Sequence, residues 1–152
     1  MEIIPVKKLN HQPQIQNTDT LLTYTNPLGG ITNIGDPYVL KYNGKYYMFA
    51  TSSGEGFLVW VSSNLVDWVQ SGLALNRNNE GNKWGKGNFW APEVKYYKGK
   101  FYMTYSAISE NGKMKIRIAQ SDNPLGQFLN WSTPFLLGDQ DSYIDGDLFV
   151  DV

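Results

Sequence analysis

The chain has no cysteine among its 152 residues. No disulfide can staple the fold and no thiolate can hold a metal. This suits a reducing compartment without requiring one. Histidine is nearly as scarce: His11 stands alone in a polar segment, so no imidazole set is available for a metal site. Neither sign of charge dominates, with 13 Lys and Arg against 14 Asp and Glu and a formal net charge of −1. No basic run marks a face for phosphates, so neither nucleic acid nor membrane is expected as a partner. No window approaches the about 20 apolar residues that a membrane-crossing helix needs. The start, Met1 to Lys8, lacks the apolar stretch and small-residue cleavage site of a signal peptide. The expectation is a cytoplasmic chain as written, the alternative being a secreted or periplasmic protein that has lost its leader. Long apolar stretches with a 3.6-residue period and caps are missing too, so no good helix is expected. Gly54, Gly56, Gly81, Gly85 and Gly87 have no G-x-G-x-x-G spacing between a strand and a helix, so no nucleotide loop is indicated.

Aromatic residues are plentiful: 10 Tyr, 7 Phe and 5 Trp, within a 41% hydrophobic composition that is enough for one domain with a sizeable core. Such side chains suit sheet packing, and their apolar faces with polar tips suit sugar binding. After an irregular segment over 1–32, Tyr38–Tyr42 reads as a strand, Asn43-Gly44 as a two-residue hairpin turn and Lys45–Thr51 as the return strand. Phe57–Ser62 reads as a third strand and Val69–Leu75 as a weaker fourth. The pattern then recurs at a constant offset of 55: Pro37 with Pro92, Gly44 with Gly99, Met48 with Met103. Met114–Gln120 is the second unit's third strand. Asp122–Trp131 repeats, in longer form, the S-x-x-L-x-x-W turn that ends at Trp68. A third copy opens at Asp145-Gly146-Asp147-Leu148-Phe149-Val150.

Four strands in a repeat of this length predict an all-β fold, a β-propeller of four-stranded antiparallel blades. The rival is a β-sandwich with two similar hairpins, but matched Pro, Gly and aromatic positions at one offset favour blades. The organisation is one domain with an N-terminal segment over 1–32, blade 1 over 33–88, blade 2 over 89–143 and the start of blade 3 over 144–152. Closed propellers have about four to eight blades, so this count does not close a ring. The expectation is a fragment, or copies that associate through exposed blade faces.

Asp36 and Asp145 each open an innermost strand, in N-I-G-D-P-Y-V and Y-I-D-G-D-L-F-V. Innermost strands line a propeller's channel, so acidic groups at their starts are expected to converge on one pocket. The segment D-P-Y-V-L-K-Y-N-G-K-Y-Y-M-F-A-T-S resembles the first blade of glycoside hydrolase family 43. F-W-A-P-E-V-K-Y-Y-K-G-K-F-Y-M-T-Y-S resembles the second, and I-D-G-D-L-F-V-D the start of the third. The likeness runs from about residue 33 to the end, with three motifs in order at blade spacing.

The resemblance implies a five-bladed glycosidase acting on arabinose- or xylose-containing plant polysaccharides or their oligomers, with inversion at the anomeric carbon. Asp36 would be the general base that deprotonates water. Asp145 would orient the general acid and tune its pKa. The acid, a Glu, would come from a later blade; Glu55, Glu80, Glu93 and Glu110 do not occupy its position. The family commonly has Pro after the second Asp, where this chain has Gly146, and a more flexible strand start is expected there. Trp90, before the second innermost strand, is a candidate for stacking on a sugar, with packing between blades as its alternative. Glu93 could bond a sugar hydroxyl, or could be a structural carboxylate paired with Lys or backbone, the role favoured here. Phe89 reads as core. Asp139, Asp141, Asp147 and Asp151 read as solvated loop charge without an EF-hand spacing. No cofactor or metal site is expected in this chain, although the resemblance allows calcium in the complete propeller. The partner is a carbohydrate substrate. Two other readings stay open: a non-catalytic carbohydrate-binding partial propeller, and an inactive fragment that needs a C-terminal partner.

Overall fold

The computed structural model describes residues 24–26, 28–131 and 141–151. His11, Asp139 and most of the N-terminal segment lie outside the described residues. Eight strands follow one another: β1 (Gly35–Tyr42), β2 (Lys45–Ser53), β3 (Gly56–Ser62), β4 (Val69–Asn76), β5 (Gly87–Tyr97), β6 (Lys100–Ile108), β7 (Met114–Ser121) and β8 (Leu129–Asn130). They form two four-stranded sheets, β1-β2-β3-β4 and β5-β6-β7-β8, antiparallel throughout. The helical residues among those described are two short 3-10 turns, Leu28–Gly30 and Glu80–Asn82.

The hairpins form where the sequence places them. Asn43 and Gly44 have φ of 47° and 72°, and Lys98 and Gly99 have 45° and 85°. Two successive left-handed residues are the type I′ pattern, whose twist matches that of the flanking strands. A Cβ on Gly44 or Gly99 would meet nothing within 4 Å, so conformation rather than space favours glycine there.

Side chains alternate across each strand, and the middle strands bury both faces. In β2, Tyr47 and Phe49 enter the larger core, while Met48 and Ala50 join Trp60 on the opposite face. The larger core lies between the two sheets. Phe57 meets Phe89 and Tyr105 edge-on, with ring centroids 5.9 and 5.5 Å apart. Tyr42 meets Phe101 in the same manner at 4.9 Å. The inner strands β1 and β5 are in contact, and β2 also packs on β5. This is the arrangement of two neighbouring blades.

The turn after the third strand repeats down to its hydrogen bonds. Ser62 Oγ accepts from the Asn64 and Leu65 amides at 3.1 and 2.9 Å, and Ser121 Oγ accepts from the Asn123 amide at 3.1 Å. The longer second copy sends Phe128 back into the first blade. The Phe128 amide donates to the Ala74 carbonyl at 2.7 Å, and its ring meets Phe49 edge-on at 6.0 Å. Fully buried Asn82 secures this return: its Nδ2 donates to the carbonyls of Asn76 and Phe128 at 3.0 and 2.9 Å, and its Oδ1 accepts from the Asn130 amide at 2.9 Å. Both amide donors and the carbonyl oxygen of this buried side chain are thereby paired.

Residues 141–151 run along blade 2, where the Tyr143 amide donates to the Met114 carbonyl at 3.0 Å. They form no ladder with the described strands. An inner strand takes its ladder from the second strand of its own blade, as β1 does from β2.

Candidate active site

Asp36, Ala91 and Asp145 open three successive inner segments, and all three are left-handed, with φ of 48°, 45° and 58°. Asn33 and Asn88, three residues ahead of the first two, share the conformation at 57° and 51°. Non-glycine residues in this region cost on the order of 1–3 kcal/mol each and need support from their surroundings. The bulged register between Gly35 and Tyr38, and between Trp90 and Glu93, marks the same places.

The support comes from hydroxyl groups on the second strand of each blade. Thr51, opposite Gly35 in the β1–β2 ladder, donates from Oγ1 to Asp36 Oδ2 at 2.9 Å and accepts from the Ala91 amide at 2.9 Å. Ser106, opposite Trp90 in the β5–β6 ladder, accepts from the Asp145 amide at 3.1 Å. Each hydroxyl thus reaches from its own blade to the start of the next inner segment. The Asp36 and Asp145 residues themselves are exposed.

Two positions further in, Tyr38, Glu93 and Asp147 form a second layer. Lys95 Nζ lies 2.6 Å from Asp147 Oδ1. That hydrogen bond holds the Asp147 carboxyl below the ordinary value and raises the Lys95 ammonium. Glu93 is pushed the other way, first by burial, then by its hydrogen bond to Asp147 and the nearby negative charge, to which Asp145 also contributes. Glu93 is thus harder to ionise than Asp147 beside it. Burial likewise raises the Tyr38 phenol, with Lys95, Glu93 and Asp147 all close enough to act on it. For Glu93, where the sequence reading favours a Lys or backbone partner over a sugar hydroxyl, both Asp147 and Lys95 act on the carboxyl. Asp147 is likewise no merely solvated loop charge, because it joins the third inner segment to β5.

Trp90 is 38% exposed and lines an open cleft of about 330 Å³ together with Asn33, Thr51, Ser52 and Asn88. Neither Asp36 nor Asp145 lines that cleft; Thr51 links it to Asp36. Phe89 is core, stacked on Tyr105. Gly146 has a packing reason: a Cβ there would come 2.6 Å from Ile116 Cγ2, so glycine lets the third inner segment lie against β7. Among the described residues no three or more His, Asp or Glu side chains gather as a metal site.

Sequence reasoning missed Thr51, Ser106, Lys95 and Asp147. A signal was present for the first two, since Thr51 and Ser106 stand at the same offset of 55 as the motifs themselves. Lys95 and Asp147 carried none, because their pairing depends on how adjacent inner segments face one another.

The profile of "Glycosyl hydrolases family 43" matches residues 24–152. A non-reducing end α-L-arabinofuranosidase of Bacteroides ovatus is 31% identical over 138 residues, which are 85% of this chain and 25% of that protein. Among solved structures, a thermostable family-43 glycoside hydrolase superposes with a TM-score of 0.80 at 55% identity, covering 85% of this chain and 41% of the other. A structure described as an endo-1,4-β-xylanase from Bacteroides thetaiotaomicron gives a TM-score of 0.65 at 38% identity, covering 78% and 39%. The chain thus spans well under half the length of these relatives.

Proposed function

The chain belongs to glycosyl hydrolase family 43, and from that premise we propose that it is part of a glycosidase cleaving α-L-arabinofuranosyl or β-D-xylosyl linkages by a single displacement with inversion. Asp36 is the general base. Its Oδ2 is held by Thr51, which leaves Oδ1 to take a proton from the attacking water. Asp145 acts on the general acid from the third inner segment. In an inverting glycosidase the acid and base stand about 6.5–9.5 Å apart, leaving room for the water. Trp90 offers its partly exposed face to a sugar ring beside the Thr51 cleft. A water, a base and an acid suffice for this chemistry, and calcium stays an option for the complete propeller.

The observation that carries the reading is that both proposed catalytic carboxylates occupy equivalent, left-handed places at the starts of inner segments. Glu93 is not assigned as the acid, because it sits beside Asp147 and Lys95 in the second layer, two positions in from the segment starts. Glu55, Glu80 and Glu110 are held in ion pairs with Arg77, Lys83 and Lys86. The acid therefore falls to later blades, in keeping with the greater length of the relatives. A polysaccharide substrate favours work outside the cell, the second of the two locations the sequence allows.

The test exploits leaving groups that depart without protonation. With 2,4-dinitrophenyl α-L-arabinofuranoside and β-D-xyloside, the wild-type chain hydrolyses at least one, and Asp36→Asn lowers the rate by about 10²-fold or more. Equal hydrolysis by wild type and variant removes Asp36 from the reaction. Sugar binding that survives the substitution, with no turnover in either protein, points instead to a carbohydrate-binding module.

A further inference from the structure

We propose that Thr51 is a positioning residue for the Asp36 carboxyl, and that Ser106, at the equivalent place in the second blade, holds the backbone of Asp145. The inference rests on the glycosidase reading and adds to it the residues that aim the groups. Its basis is the coincidence of two repeats. Thr51 and Ser106 are 55 residues apart, and the amides they accept from, Ala91 and Asp145, are 54 apart. The three inner-segment starts share the left-handed conformation, including Ala91, which has no carboxyl group. The amide contact is therefore a device of the fold that joins blade to blade. At Thr51 it has gained a further use.

A hydroxyl has one proton and two acceptor sites. The Ala91 amide occupies one acceptor site of Thr51 Oγ1, and the proton goes to Asp36 Oδ2, which can only accept while ionised. The second blade's backbone thus fixes the direction of the Thr51 proton, and that proton fixes the plane of the carboxyl group. A β-branched side chain adds stiffness at χ1. An exposed Asp on a left-handed residue would otherwise sample several rotamers, most of them unproductive for a water bound at one point. Docking of the second blade and aim of the base become a single event.

The experiment uses Thr51→Val, Thr51→Ser and Ser106→Ala in the whole protein that carries these blades, assayed on the 2,4-dinitrophenyl glycosides, with amide hydrogen exchange read at Ala91 and Asp145. Misaligned catalytic groups cost rate more than binding, so Thr51→Val should lower kcat by about 10-fold or more while KM stays within about 2-fold. Thr51→Ser, which keeps the hydroxyl, should return kcat to within about 3-fold of wild type. Loss of the hydrogen bond should speed exchange about 10-fold at Ala91 in Thr51→Val and at Asp145 in Ser106→Ala. Unchanged kcat in Thr51→Val, or a Thr51→Ser variant as slow as Thr51→Val, overturns the positioning role. Unchanged exchange at Ala91 overturns the contact itself. A wild-type protein inactive on both glycosides overturns the glycosidase reading and with it the catalytic half of the inference, and the exchange data then decide the backbone half alone.

Discussion

Two carboxyl groups within hydrogen-bond reach cannot both stay ionised without cost, and Glu93 and Asp147 divide the roles. Lys95 settles the division by pairing with Asp147. Asp147, lowered from an ordinary value of 3.8, contributes stability above that value and loses it as pH falls through its depressed value. Glu93, raised from 4.5, contributes below that value and loses its contribution as pH rises through its raised value. The pair therefore stabilises most between about pH 3.8 and 4.5, and less on either side. Glu93→Gln keeps a donor for Asp147 and has no proton to lose. Urea unfolding should find it at least as stable as wild type at pH 7, with a flatter profile above pH 5. Asp147→Asn should flatten the acid side instead. A Glu93→Gln protein less stable than wild type across the whole range contradicts the raised Glu93.

Among the elements, the two inner hairpins and the long β7–β8 turn carry different loads. Gly44 and Gly99 stand in open space, so alanine at either meets only the left-handed penalty, about 1 kcal/mol. The long turn is different, since its Phe128 is fully buried against Phe49. Phe128→Ala should cost about 3–5 kcal/mol in denaturant unfolding. A cost near 1 kcal/mol would mean that the turn only covers the first blade without anchoring to it. The motif likeness between the two turns was legible in the sequence, but the extra residues of the second copy say nothing of where Phe128 goes. That depends on the Ala74 carbonyl and on Asn82, both supplied by other parts of the chain.

Across the molecule, the larger core belongs to neither sheet alone. Phe57 of β3 packs on Phe89 of β5 and Tyr105 of β6, so the sheets should unfold together. Phe57→Ala should cost about 3–5 kcal/mol and weaken amide protection in β6 as much as in β3. Loss confined to β3 would show two independent units. The outer face of the first sheet has its own apolar cleft, lined by Leu28, Ile31, Ile34, Val39 and Met48 among others. If copies associate through exposed blade faces, light scattering should give a mass above one chain that rises with concentration, and replacing Val39 with Lys should lower it. A concentration-independent single-chain mass contradicts self-association.

What the sequence determined by itself was local or periodic. Alternation of apolar residues and the Asn-Gly and Lys-Gly turns specify antiparallel hairpins, because each depends on neighbours within about ten residues, and the repeat at one offset gives their order along the chain. Repetition also brought out Asp36 and Asp145, since their place in the repeat is readable without coordinates. What only the tertiary structure decided was every contact between blades. Thr51 reaches the Ala91 amide 40 residues away and Ser106 reaches Asp145 39 residues away. Lys95 finds Asp147, and that pairing lowers the Asp147 carboxyl while Glu93 beside it is raised. The Lys95–Asp147 pair has no period to announce it, and the offset shared by Thr51 and Ser106 does not say which amides they reach. Their geometry is fixed by how one sheet packs on the next, which a strand pattern leaves open.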